Sequence, residues 1–197
     1  MSLAKKQNGL RRVISGAQTG VDRAALDAVI ESGSHCSWGG CVPKGRLAED
    51  GEIPDFYFNP GIFGCGLIEH KQSRDYKPRT VRNVADADAT LILRFQGGGR
   101  TLSPGTKLTL STIQSLEKSY RIYDPSKSHH APLAVQWICE TIIDDSGRYI
   151  EILNVAGPRE SGSPGIYEKS KKFMIEVLNY TFCYRRWGLK IWSRNQI

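Results

Sequence analysis

Four segments of the chain share one layout: a short apolar or β-branched run, a glycine-containing turn, and then a segment of helical character. This alternation predicts an α/β fold with a largely parallel sheet, because parallel strands need a crossover connection and a helix usually supplies it. The most regular example is Ile14 to Gly33, "ISGAQTGVDRAALDAVIESG". Gly33 is placed to end the helix of this segment. The apolar positions expected on one helix face are Ala25, Leu26, Val29 and Ile30.

The other elements follow from shorter patterns. The run "ATLILRF", Ala89 to Phe95, is typical of a strand buried on both faces. "SWGGCV", "SYRIYDP" and "YIEILNVAG" predict three further strands, and "KLTLSTIQSLEKS", "APLAVQWICETIIDD" and "IYEKSKKFMIEVLNYTF" predict helices. Arg46 to Pro78 carries glycine, proline and aromatic residues without steady periodicity, so we expect a long loop over one edge of the sheet.

Length and hydrophobicity predict a single domain over residues 1–197, since 40% of the residues are hydrophobic and can bury one good core. No segment resembles a secretory signal, and no apolar run approaches the roughly 20 residues that span a membrane. We therefore expect a soluble cytoplasmic protein with no membrane partner.

The net charge of +7 is concentrated in two basic terminal segments, residues 1–12 and 184–197. Each holds four Lys or Arg residues and no acidic residue, which leaves 19 basic against 20 acidic residues elsewhere. Because the body of the chain is nearly neutral, the charge argues against nucleic acid as a partner.

Five cysteines occur without a C-x-x-C pair, so we predict reduced thiols rather than disulfides or a zinc ribbon. His35 and Cys36 with Cys41, or His129 with His130, could in principle ligate a metal. Their spacings match no ligand pattern of known geometry, so no metal site is predicted.

Three glycine-containing turns follow predicted strands, at Gly16, Gly97 and Gly157. Ligands of open parallel sheets bind outside the carboxyl ends of the strands, so the three turns are expected to face one side of the molecule. Glycine lets the backbone approach a ligand, and the helix after each turn offers unpaired N–H groups and a partial positive charge. Such a place suits phosphate or another anion.

Each of these turns also carries a hydroxyl group and an arginine, which can bind phosphate or carboxylate. The pairs are Thr19 with Arg23, Thr101 with Arg100, and Ser161 with Arg159. The predicted ligand-binding residues are Gly16, Gln18, Thr19, Gly20, Asp22, Arg23, Lys44, Gly45, Gly97, Gly98, Gly99, Arg100, Thr101, Gly157, Arg159, Glu160 and Ser161. We expect a phosphorylated small molecule as the partner.

Simpler structural interpretations exist for these motifs. Gly16 and Gly20 also suit a tight strand-to-helix corner, and Arg159 and Glu160 also suit a solvated turn. The motif "PKGRLAEDG" fits a charged surface turn as well as a phosphate contact. The three glycines of "QGGGR" favour a ligand loop, because consecutive glycines weaken any packed element that contains them.

A catalytic group is harder to assign, since no Ser-His-Asp order stands out. The carboxylates near the predicted binding face are Asp22, Glu49, Asp50 and Glu160. If the protein is an enzyme, Glu160 or Asp22 is the candidate acid–base group.

Four motifs carry a family resemblance: "ISGAQTGVDRAALDAVI", "PKGRLAEDGEIP", "RTVRNVADADATLIL" and "LNVAGPRESGSPGIYE". In this order and spacing, from about Val13 to Leu178, they resemble the putative molybdenum carrier family. That family belongs to a Rossmann-like superfamily that includes the DNA-processing protein A domain and the cytokinin-activating phosphoribohydrolases. The resemblance implies a three-layer Rossmann-like α/β fold with a mostly parallel sheet, a pocket for a nucleotide, a nucleotide-like phosphate ester or a pterin-type cofactor, and a homodimer.

The sequence departs from its relatives at two places. Ala17 stands where relatives often have a second glycine, and "GGGRTLSPGTKLT" lacks the glutamate that follows the phosphoribohydrolase motif. The first function expected is a binding or carrier protein for a nucleotide-like ligand or molybdenum cofactor. The alternative is a hydrolase that cleaves an N-glycosidic or phosphate bond of a nucleotide, and the sequence does not decide between carrier and enzyme.

Overall fold

The computed structural model describes residues 9–33, 36–59, 66–96 and 102–187. The strands are β1 (Arg12–Ile14), β2 (Ser37–Val42), β3 (Leu47–Ala48), β4 (Gly51–Glu52), β5 (Leu67–Glu69), β6 (Ala89–Leu93), β7 (Ser119–Tyr123) and β8 (Ile152–Ala156). The helices are α1 (Val21–Ser32), α2 (Tyr76–Asp86), α3 (Pro104–Ser115), α4 (His130–Glu140) and α5 (Ile166–Trp187).

Six strands form one sheet in the order β5-β2-β1-β8-β6-β7, and every neighbouring pair is parallel. Helix α5 packs between α1 and α4, while α2 and α3 pack together as a second pair. The sheet with its five helices confirms the predicted three-layer Rossmann-like α/β fold. The short antiparallel hairpin β3–β4 stands apart from the sheet.

The strand order shows a permuted version of a doubly wound sheet. Strand β8, which follows all the other described strands in the chain, lies in the middle between β1 and β6. If β8 were counted as the first strand, the order across the sheet would read 4-3-2-1-5-6, which winds outward in both directions from β8. Ligands of such sheets bind where the winding direction reverses, so the expected site lies at the carboxyl end of β8.

Strand β6 shows how the sheet builds two cores. All five of its residues are buried, as its continuous apolar run predicts. Leu91 and Leu93 join the core formed with α1, α4 and α5, whereas Ile92 packs with residues of α2 and α3 on the other face. Side chains of a strand alternate between faces, and full burial of each contributes about 1.5–3 kcal/mol.

Helix α1 agrees with its sequence pattern at both ends. It begins after Gly20 and ends at Gly33, which adopts the left-handed conformation expected at a helix terminus. Ala25, Leu26 and Val29 are buried, but Ile30 is 40% exposed. The apolar face of this helix is therefore narrower than predicted.

The prediction of a long loop from Arg46 to Pro78 is wrong. This stretch holds the hairpin β3–β4, a 3-10 turn at Asp55–Tyr57, the edge strand β5 and the first residues of α2. Strand β5 has only three residues, too few for an alternating pattern. Helix α2 buries only three side chains, so it has no broad apolar stripe that periodicity could reveal.

None of the helices within the described residues is both long enough and apolar enough to cross a membrane.

Candidate functional site

A cavity of about 880 Å³ opens at the carboxyl ends of β1, β6 and β8, where the winding of the sheet reverses. Its walls come from the turns after β1 and β8, the end of β6, one face of α2 and the first residues of α3. This volume lies within the range of small-molecule sites in proteins, about 300–1,000 Å³.

The structure brings part of the predicted ligand-binding set to this cavity. The predicted residues in its wall are Gly16, Gln18, Asp22, Gly157, Arg159 and Ser161. Thr19, Gly20, Arg23, Lys44, Gly45 and Glu160 are described but lie outside the wall. Gly97, Gly98, Gly99, Arg100 and Thr101 lie outside the described residues.

The most buried charged pair of the cavity joins α2 to α1. Nη1 of Arg79 donates to Oδ2 of Asp22 at 3.3 Å, and the two side chains are only 12% and 9% exposed. Arg79 lies directly across the turn after β1, since a Cβ on Gly16 would stand 1.3 Å from its Nη1. Burial raises the pKa of Asp22 even though Arg79 favours the charged form. A glycine at position 16 therefore leaves the space that the guanidinium of Arg79 occupies.

Two polar atoms in the wall lack a partner. Oε1 of Gln18 and Nε of Arg79 are buried and accept or donate no hydrogen bond within the described part of the chain. Gln18 is only 2% exposed, and its Nε2 is held by the carbonyl oxygen of Leu47 at 3.0 Å. Buried polar groups in proteins are almost always paired, so each of these two atoms has room for a partner that the described part of the chain does not supply.

A carboxylate from the hairpin occupies the donors at the mouth of the cavity. Glu49 accepts hydrogen bonds from the hydroxyl of Thr19, from Oγ of Ser161 at 2.6 Å and from the backbone N–H of Ser161 at 3.4 Å. Nη1 of Arg159 lies 3.9 Å from the same carboxylate. Partial burial opposes the charge of Glu49, but the hydrogen bonds from Ser161 and Thr19 outweigh it and lower the pKa of Glu49.

The hairpin β3–β4 is held mainly by the motif "QTGVDR". Besides the contacts of Gln18 with Leu47 and of Thr19 with Glu49, the guanidinium of Arg23 donates to both carboxylate oxygens of Asp50. Three residues predicted to bind a ligand thus bind a segment of the same chain.

Two predicted glycines serve the close packing of turns. Gly20 has a φ of 76°, and a Cβ there would lie 2.5 Å from the carbonyl oxygen of Pro158. A Cβ on Gly157 would lie 2.4 Å from the carbonyl oxygen of Leu93. The carboxyl ends of β1, β6 and β8 meet this closely only because these positions have no side chain.

Glu160, Lys44 and Gly45 have structural partners. The carboxylate of Glu160 accepts hydrogen bonds from the backbone N–H groups of Gly165 and of Tyr167 at the start of α5. The N–H of Gly45 donates at 2.7 Å to the side chain of Glu69, the last residue of β5. The backbone N–H of Lys44 donates to the carbonyl oxygen of Ser73 at 2.8 Å.

The predicted ligand-binding set includes no residue of α2 or α3. Tyr76 and Arg79 lie in the wall, and the guanidinium of Arg159 lies 4.7 Å from the ring centroid of Tyr76. Ser103 begins α3 by accepting a hydrogen bond from the N–H of Thr106 at 3.2 Å, so the positive end of α3 faces the cavity. The motif "RTVRNVADADATLIL" already contains Arg79, and "LSPGT" has the form of a helix start.

Asn83 fixes α2 against the sheet. Its Oδ1 accepts from the N–H of Cys41 at 2.6 Å, and its Nδ2 donates to the carbonyl oxygen of the same residue at 3.0 Å. We expect Asn83→Ala to lower the free energy of unfolding by about 2 kcal/mol, because both buried backbone groups lose their partner. Urea denaturation measures this loss.

The matched control for Asn83→Ala is Arg82→Ala, which removes an exposed ion pair with Asp86 on the same helix. Arg82→Ala should lower the free energy of unfolding by less than about 0.5 kcal/mol. Equal losses for the two variants would contradict the role of Asn83.

No group of three or more His, Cys, Asp or Glu side chains within the described residues could hold a metal ion.

The fold and the cavity define a Rossmann-like α/β protein with a permuted strand order. The model of the circularly permutated YpsA SLOG family matches residues 13–178, and the chain belongs to this family. A crystal structure from Syntrophus aciditrophicus SB, described as "Putative molybdenum carrier protein", is 36% identical and has a TM-score of 0.68. The match covers 88% of this chain and 97% of that chain, which confirms the resemblance found in the motifs. No curated protein matches the chain.

Proposed function

We propose that the cavity binds a phosphorylated small molecule, either a nucleotide-like ligand or molybdenum cofactor, and that the protein is a binding or carrier protein. The observation that carries this proposal is the chemistry of the donors in the cavity wall and at its mouth. Thr19, Ser161 and Arg159 already hold one anion, the carboxylate of Glu49, and the buried Nε of Arg79 still has a hydrogen to donate. Donors that hold a carboxylate also suit a phosphate oxygen.

The residues present fit a pterin that carries a phosphate. The spare Oε1 of Gln18 would accept from a ring N–H or amino group, and Nε of Arg79 would donate to a ring carbonyl oxygen or a phosphate oxygen. Cys36, Cys41 and Cys139 are buried and, as the structure describes them, lie outside the wall. The chain would therefore hold the cofactor through its organic part and its phosphate, with the molybdenum as cargo. The similar crystal structure is named a putative molybdenum carrier protein, which supports molybdenum as the cargo.

Native mass spectrometry of the freshly purified chain, with elemental analysis for molybdenum, tests the proposal. We expect a co-purified phosphate ester at a stoichiometry near one per chain. Gly105→Phe adds a phenyl group at the start of α3, at a residue that lines the cavity and where a Cβ meets no described atom within 4 Å, and we expect it to reduce the co-purification. Ser111→Phe adds the same group to the exposed face of the same helix and should keep the ligand. Equal ligand content in the two variants would contradict binding in this cavity.

One observation favours the hydrolase as a second candidate. Asp22 is a buried carboxylate in the cavity wall with a raised pKa, as general acids often are. Glu160 fits this role less well, because its carboxylate holds the start of α5. An enzyme would release the base or the phosphate of a nucleotide, and Asp22→Asn would abolish this release while nucleotide binding persists.

The homodimer and the cytoplasmic location stay predictions, and light scattering and cell fractionation test them.

A further inference from the structure

We propose that Thr19, Ser161 and Arg159 form the oxyanion subsite for the terminal phosphate of the ligand, and that the Glu49 carboxylate is an internal competitor for this subsite. The inference rests on the proposed function and deepens it. It assigns one end of the ligand to the mouth of the cavity, where the turns after β1 and β8 meet.

The subsite is built from two turns that touch each other. The backbone N–H of Val21 donates to the carbonyl oxygen of Pro158 at 3.3 Å, so the turn after β1 rests on the turn after β8. The hydroxyl of Thr19 comes from the first turn, and the hydroxyl and backbone N–H of Ser161 come from the second. A third group of the second turn, the N–H of Glu160, lies 3.4 Å from Oγ1 of Thr19.

Glu49 occupies these donors as a phosphate would. Both of its oxygens are used, since Oε1 accepts from Thr19 and from the N–H of Ser161, while Oε2 accepts from the hydroxyl of Ser161. Among the described residues the nearest cation is Arg159, which approaches Oε2 only to 3.9 Å and is 38% exposed. A carboxylate has two oxygens in a plane, whereas a terminal phosphate presents three and carries more negative charge. The phosphate can therefore keep the hydroxyl and N–H donors and also bind Arg159 directly.

A second observation independently points to a ligand beside this cluster. Gln18, the residue next to Thr19, is nearly fully buried, lies in the cavity wall and has an Oε1 without a partner among the described residues. A ligand whose phosphate lies at Thr19 would extend over Gln18 toward Arg79. The two spare polar atoms and the subsite then belong to one continuous path along the wall.

The hairpin can release Glu49 without leaving its place. Its carbonyl oxygen at Leu47 is bound by Gln18, and its Asp50 is bound by Arg23 through two hydrogen bonds. The side chain of Glu49 is 21% exposed, so the carboxylate has access to solvent when a phosphate replaces it. Displacement of the carboxylate by phosphate therefore needs only a change in the conformation of the Glu49 side chain.

Titration of the full chain with inorganic phosphate, followed by phosphorus NMR, tests the inference. We expect Glu49→Gln to bind phosphate about tenfold more tightly than the unchanged protein, because the apparent affinity is the intrinsic affinity multiplied by the fraction of molecules whose subsite is free. Glu52→Gln removes the same charge from the exposed end of the same hairpin and should leave the affinity unchanged. Adding Ser161→Ala to Glu49→Gln should reverse the gain, since it removes one donor of the subsite.

The outcomes separate the inference from the proposed function. Equal or weaker phosphate binding by Glu49→Gln would overturn the competition, and the proposed function would stand if the chain still co-purifies with a phosphate ester. A gain of similar size in Glu52→Gln would also overturn it, because general charge would then explain the effect. If Glu49→Gln binds no phosphate and the purified chain is empty, both proposals fall.

Discussion

Replacing Arg79 with methionine is expected to lower the free energy of unfolding by about 3–5 kcal/mol at neutral pH. Methionine keeps much of the apolar length of the side chain but removes the only described cation that donates a hydrogen bond to Asp22. The carboxylate would stay buried without its partner. Urea denaturation at pH 7 measures the loss, and the same change should abolish ligand binding because Arg79 lies in the cavity wall.

The loss caused by Arg79→Met should depend on pH. The pKa of Asp22 is raised above its ordinary value of 3.8 by burial, so Asp22 in the folded chain binds a proton at pH values where the unfolded chain has lost it. The stability contribution of Asp22 therefore falls as the pH rises from about 3.8 through the raised pKa. Without Arg79 this pKa rises further, so the loss relative to the unchanged protein should be smallest below pH 3.8 and should grow as the pH rises through the raised pKa.

The double variant Asp22→Asn/Arg79→Met is the control for this pair. A neutral side chain at Asp22 removes the buried charge, so the double variant should recover much of the stability lost in Arg79→Met. A loss in Arg79→Met that is independent of pH and is not recovered would mean that packing, and not the charge of Asp22, explains the effect.

Gly20→Ala is expected to lower the free energy of unfolding by about 3–4 kcal/mol, because the added methyl group strains the backbone and overpacks the contact between the two turns. Gly20 has a φ of 76°, and an added Cβ would stand 2.5 to 2.8 Å from backbone atoms of Pro158, Glu160 and Arg159. Backbone atoms cannot move aside as the end of a side chain can. Thermal and urea denaturation of the purified variant measure the cost.

Gly33→Ala is the matched control for Gly20→Ala. Gly33 also has a positive φ, 57°, but a Cβ there would meet no described atom within 4 Å. The Gly33→Ala change should lower the free energy of unfolding by only about 1 kcal/mol, which is the strain of an alanine in the left-handed conformation. Similar costs at the two positions would show that the two turns do not need their close approach.

The sequence predicts best those elements whose pattern depends on local burial alone. Strand β6 is buried on both faces and reads as a continuous apolar run, and α1 has a clear start and stop. Strand β5 and helix α2 were missed, because one is too short to alternate and the other is mostly polar. Periodicity carries little information on an element that contributes so few side chains to the core.

The candidate site shows the same limit. The sequence places the turns after β1 and β8 near one another, because strand ends of a parallel sheet share an edge. The sequence does not reveal that Arg79 crosses the first turn, since its partner Asp22 lies 57 positions away in the chain. Nor does a pattern of letters distinguish a glycine that faces a ligand from one that faces Pro158 or Leu93.

The central position of β8 has a consequence for how the protein is made. Strand β2 pairs with both β5 and β1, and β6 pairs with β7, but β1 and β6 are connected only through β8. During synthesis on the ribosome, the edges of β1 and β6 that pair with β8 in the folded protein therefore stay unpaired until β8 has been synthesised. The nascent chain therefore has no binding cavity until β8 is inserted, and we expect this interval to be the time of greatest need for chaperones.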